Sequence, residues 1–78
     1  MVTREQVKMA RGALGWGVRD LAKKTGVAAN TINRFENGTD SRGSTLRKIQ
    51  RAFEEAGIVF IDENGGVSGV RFRDRRRD

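Results

Sequence analysis

The 78-residue chain contains neither cysteine nor histidine. Lack of cysteine excludes disulfide staples, thiolate metal sites and thiol nucleophiles, and lack of histidine removes the commonest general base near neutral pH. No paired-carboxylate motif and no phosphate-cradling glycine loop takes their place. The expectation is a protein that binds rather than catalyses, with no metal and no cofactor. Long apolar runs are also missing, since the opening MVTREQVKMARGALGW alternates charged with apolar residues. Neither a signal peptide nor a membrane span is expected, so a cytoplasmic, nucleoid-associated location with no membrane partner follows. A chain this short makes one small domain that buries roughly 60% of its unfolded surface, leaving no room for a separate catalytic domain.

What the chain does have is positive charge, +6 in total. Through Gly57 there are 11 Lys and Arg against 6 Asp and Glu, and from Ile58 onward 5 against 4, so most of the excess lies in the first part. That suits a polyanionic partner, because neutralising phosphates releases condensed counterions. Charge alone is weak evidence, and the stretch Leu21 to Gly38, LAKKTGVAANTINRFENG, adds pattern to it. Leu21 and small Ala22 fall on the inner face of a short helix, and Gly26 stands where the chain must leave it in a left-handed conformation. Ile32 and Phe35 then share one face of a second helix, with Val27 under the turn. The opposite face carries Asn30, Asn33 and Arg34, whose amides and guanidinium match the edges of adenine and guanine.

This stretch, with the upstream ARGALGW, resembles the lambdoid phage repressor and Cro (XRE) family of prokaryotic helix-turn-helix regulators over about residues 3 to 57. The resemblance implies double-stranded DNA as partner, a recognition helix from Ala29 to Asn37 in the major groove, and base-facing positions at Ala29, Asn30, Asn33 and Arg34. Asn30, Asn33 and Arg34 are the expected base readers, and Arg19, Thr31, Asn37 and Arg42 the expected phosphate contacts. It also implies a structural ion pair between Arg11 and Glu36, and a homodimer on a palindromic site. Gly17 and Val18 stand where the family commonly has a hydroxyl cap and a glutamine. Ala28 stands where it often has a capping serine or threonine, a loss of roughly 0.5 to 2 kcal/mol. Asn30 compensates locally there, or the helix begins differently.

The expected fold is mainly α, a four-helix repressor-like domain over residues 1–57 with a C-terminal β-hairpin over 58–73 and a disordered basic tail over 74–78. Thr3 and Gln6 form a capping box for a first helix from Arg4 to Ala13. The two motif helices span Val18 to Thr25 and Ala29 to Asn37. Ser44 caps a fourth, in which Leu46, Ile49 and Phe53 point inward, Arg47, Lys48 and Arg51 point outward, and Gly57 supplies the stop. Trp16 is expected in the core. After Gly57, IVFI and VSGVRFR read as strands around a two-residue turn at Asn64-Gly65 or Gly65-Gly66, with Gly69 suited to a bulge. That pairing puts Val59, Ile61, Val70 and Phe72 on one apolar face, which serves as a lid on the helices, as a dimerisation surface, or as both. The alternative to DNA binding is a protein-interaction module of the same fold, such as an antitoxin or co-regulator with a protein partner.

Overall fold

The computed structural model describes residues 2–61 and 69–74. Four helices, α1 (Arg4–Leu14), α2 (Val18–Thr25), α3 (Ala29–Glu36) and α4 (Gly43–Glu55), precede an antiparallel pair of strands, β1 (Ile58–Ile61) and β2 (Gly69–Phe72). This is the helical domain with terminal hairpin that the periodicity and turn residues predict. The expected turn dipeptides at 64–66 and residues 75–78 of the tail lie outside the described residues. No described helix is long and apolar enough to cross a membrane.

The helix ends follow from local chemistry. Thr3 Oγ1 accepts the Gln6 N–H at 3.1 Å and Gln6 Oε1 accepts the Thr3 N–H at 3.0 Å, so two otherwise orphaned donors are satisfied at the start of α1. Gly15, at φ 68°, stops that helix at Leu14, one residue beyond the expected end. At α4 the expectation needs correction. The Leu46 N–H already reaches the Arg42 carbonyl at 3.0 Å, so the helix is wound from Gly43 and Ser44 lies inside its first turn. Arg42 occupies the cap position and makes no side-chain cap bond.

Val7 and Ala10 of α1, Leu21 of α2, Ile32 of α3 and Ile49 and Phe53 of α4 form one buried core. Phe53 is its hub. The Trp16 ring stacks on it with centroids 5.5 Å apart, and Phe60 meets it edge-on at 6.0 Å. Each aromatic contact contributes about 0.5–1.5 kcal/mol beyond area burial. Trp16 is therefore part of the packing, half-buried, with Lys24 Nζ 5.2 Å above its ring.

The hairpin register differs from expectation by one residue. Ile58 pairs with Phe72, Val59 with Arg71, Phe60 with Val70 and Ile61 with Gly69, and the bond from Arg73 N–H to the Gly57 carbonyl continues the same register. An odd number of residues, 62–68, separates Ile61 from Gly69, whereas a two-residue turn requires an even number. A one-residue slip moves every side chain of one strand to the other face. Ile58, Phe60, Val70 and Phe72 accordingly share the inner face and pack on the helices, while Val59, Ile61 and Arg71 share the outer one. The expected apolar set of Val59, Ile61, Val70 and Phe72 is thus split between faces. Both registers put four apolar side chains on one face, but the observed one turns Ile58 and Phe60 inward, burying Ile58 fully and setting the larger Phe60 ring against Phe53. Gly69 pairs regularly with Ile61 and forms no bulge.

β2 lies against α1 and β1 against α4. Buried Gln6 makes the first of these contacts specific, its Nε2 donating to the carbonyls of Ile61 at 3.0 Å and Gly69 at 3.1 Å. Because Ile61 points outward and Gly69 has no side chain, that pair offers bare backbone to the inner side. The carboxamide fills the space.

Candidate nucleic-acid interface

The turn between α2 and α3 is fixed by two residues. Gly26 adopts φ 75°, ψ 8° and returns its N–H to the Ala22 carbonyl at 2.9 Å. A side chain at that φ would be strained. Thr25 Oγ1 donates to the Leu21 carbonyl at 2.8 Å and accepts the Val27 N–H at 3.1 Å, bridging the end of α2 to the approach to α3. Asp20 receives the Gly17 N–H at 2.8 Å at the start of α2, the reciprocal half of a capping box whose hydroxyl half glycine cannot supply. α3 starts without any such help. Ala28 makes no side-chain cap bond, and the first helical bond runs from Ile32 N–H to the Ala28 carbonyl. Asn30 does not take over the capping role.

Ile32 is fully buried and Phe35 partly buried, so the back of α3 is committed to the core. Behind its last turn sits a bidentate ion pair. Arg11 Nε donates to Glu36 Oε2 at 2.7 Å and Nη2 to Oε1 at 2.8 Å, while Nη1 reaches the Trp16 carbonyl at 3.1 Å. Glu36 is 6% exposed. The hydrogen bonding to Glu36 raises the Arg11 guanidinium above its already high ordinary value, burial lowers it by less, and Coulombic attraction to Glu36 raises it further. Both fork bonds are short and charge-assisted. They join α1 to α3 from behind.

The front of α3 is free. Asn30, Asn33, Arg34 and Asn37 recur at the spacing that shares one helical face, and all four are exposed. Among the described residues, the side chains of Asn30, Asn33 and Arg34 carry no hydrogen bond or ion pair. Thr31 is half-buried beside them, and Asn37 is the C-cap residue rather than part of the helix, which closes at Glu36. Gly38, at φ 107°, then turns the chain. Arg19 is exposed in the first turn of α2, and Arg42 is exposed at the start of α4. Of the residues expected at a dimer surface, Val59 and Ile61 face outward, with Ile61 42% exposed, whereas Val70 and Phe72 face the core.

Three contributors escape the sequence reading. Gln6 is legible as a cap but not as a hairpin anchor, because its second set of partners lies 55 and 63 residues away. Thr25 gives a signal in retrospect, a hydroxyl directly before a C-terminal glycine. Asp20 does too, three residues after a glycine cap. No cluster of acidic side chains that could hold a metal occurs among the described residues.

The family described as Helix-turn-helix matches residues 7–56, from within α1 to the residue after α4. A protein of Archaeoglobus fulgidus named "Putative HTH-type transcriptional regulatory protein" is 40% identical over 58 residues, covering 74% of this chain and 19% of that protein. The chain thus spans about a fifth of the length of the relative it matches.

Proposed function

The chain belongs to the XRE-type helix-turn-helix family, and from that premise we propose that it is a transcriptional regulator binding double-stranded DNA selectively, with α3 in the major groove. One observation carries the reading: Asn30, Asn33 and Arg34 form an exposed, uncommitted row on a helix whose back is immobilised by Ile32 and the Arg11–Glu36 pair. Amide and guanidinium groups of that kind pair bidentately with adenine and guanine edges. Thr31, Asn37, Arg19 and Arg42 surround the row and hold phosphates, fixing register without reading sequence. The chain acts inside the cell on the chromosome.

Dimerisation doubles a short reading surface on a palindromic site. Its proposed contacts are now restricted to the outward Val59 and Ile61 and the open strand edges. Val70 and Phe72 serve the core.

The test is selection of bound sites from random DNA, followed by titration at two salt concentrations. Enrichment of a palindrome supports both selectivity and two-fold symmetry. Arg34→Ala is expected to cost about 1–3 kcal/mol and to relax preference at one base pair, while Arg42→Ala weakens all sequences and lowers the salt slope by about 1. Equal weakening of every sequence by Arg34→Ala would move that residue to the phosphate class. A co-purifying protein without any salt-dependent DNA shift would favour the protein-interaction reading instead.

A further inference from the structure

Between Asp20 and Glu54 the chain has two acidic residues, Glu36 and Asp40. Glu36 is buried against Arg11, which leaves Asp40 as the one exposed carboxylate across α3 and its following loop. A negative charge there opposes phosphate binding, so its location calls for a role. It lies in a cleft of about 120 Å³ that is lined by Thr31, Arg34 and Phe35 on one side and Thr39, Asp40 and Ser41 on the other. The cleft walls are tied together at Arg34 itself, whose carbonyl accepts the Thr39 N–H at 2.9 Å. Among the described residues neither side chain makes an ion pair, with the other or with any third group, so both charges stand uncommitted at the cleft in the absence of DNA.

We propose that on DNA Asp40 becomes a positioning residue for Arg34, taking one edge of its guanidinium from the loop while the other edge reads a base. This rests on the base-reading role given to Arg34 above. The chemistry allows it, because a guanidinium presents five N–H donors in a planar fork and a guanine edge takes only two. A long, freely rotating arginine aimed at the groove loses that freedom on reading. A carboxylate in the same cleft limits the loss and sets the plane of the fork. The same carboxylate repels phosphate, so it trades general affinity for discrimination.

The experiment measures binding of the full chain to its selected site and to single-base variants of it, for Asp40→Asn, Arg34→Ala and the double variant. Asp40→Asn is expected to lower preference about fivefold at the base pair that Arg34→Ala relaxes, within the span of one bidentate contact. Random-sequence DNA is bound equally or more tightly. In the Arg34→Ala background Asp40→Asn changes no preference; with Arg34 present, Asp40→Glu keeps part of the discrimination that Asp40→Asn loses, and the thermal midpoint stays constant throughout. Uniform tightening with preference intact would make Asp40 a solvated charge and overturn the proposal. An equal change of preference with and without Arg34 would overturn it too, since Asp40 would then read a base directly. If Arg34→Ala itself leaves preference unchanged, the premise about Arg34 fails, a result separable from either of these.

Discussion

At one end of α1 a neutral carboxamide holds the hairpin, and five residues later a guanidinium holds α3. Gln6 grips backbone carbonyls of Ile61 and Gly69, so no side-chain substitution on the strands removes its partners. Arg11 grips a side chain, so either partner alone can undo the contact. The two anchorages also differ in what they leave behind when cut. Loss of Arg11 strands a buried negative charge, while loss of Gln6 strands neutral carbonyls. The α3 anchorage is therefore the costlier to break and the hairpin anchorage the harder to reach by mutation.

The most severe test of this contrast is Arg11→Ala, which leaves the Glu36 carboxylate buried and unpaired. A loss of about 3–5 kcal/mol in urea denaturation is expected, with DNA binding impaired in parallel. A loss below about 1 kcal/mol would show the pair to be solvated and the contrast void. Gln6→Ala comes next, at about 1–3 kcal/mol, because it removes half of the α1 cap and two part-buried bonds to strand carbonyls. Its signature is regional, with faster amide hydrogen exchange in β1 and β2 while α3 keeps its protection. Equal acceleration in α3 would mean that the two anchorages act as one. Ala28→Ser probes whether α3 relies on α1 rather than on its own start, and a gain of about 1 kcal/mol in thermal denaturation is expected. The smallest effect belongs to Arg51→Ala. Its partner Glu55 is 3.9 Å away and both side chains are exposed, so about 0.3–0.5 kcal/mol is at stake, the same ionic chemistry as Arg11 without the burial.

The helices were legible because their signals are local. Gly15 and Gly26 end α1 and α2 from left-handed conformations, and the Thr3–Gln6 box starts α1, all within four residues of the ends concerned. The limits of α2 agree at both ends. The free row on α3 was legible too, since it is the complement of the Ile32 and Phe35 stripe. The hairpin faces were not, because face assignment depends on the parity of residues between strands, and a two-residue turn has the wrong parity for 62–68. Ser44 misled for a related reason. A hydroxyl near a helix start is a good cap signal, but the backbone was already helical at Gly43, and neither Arg42 nor Gly43 announces that. The second role of Gln6 was hidden because one side chain serves two partners through different atoms, and only the nearer partner leaves a pattern in the chain.

Trp16 is the single indole of the chain, and it is stacked on Phe53 with the Lys24 ammonium also over its ring. Its emission is consequently an intrinsic optical gauge of the junction between α2 and α4. Separation of α4 from the motif exposes the ring to water and shifts the emission to longer wavelength, whereas departure of the hairpin removes the edge-on Phe60 from Phe53 and leaves the indole stacked. The two modes of opening can therefore be told apart by light alone, without a label or an added probe.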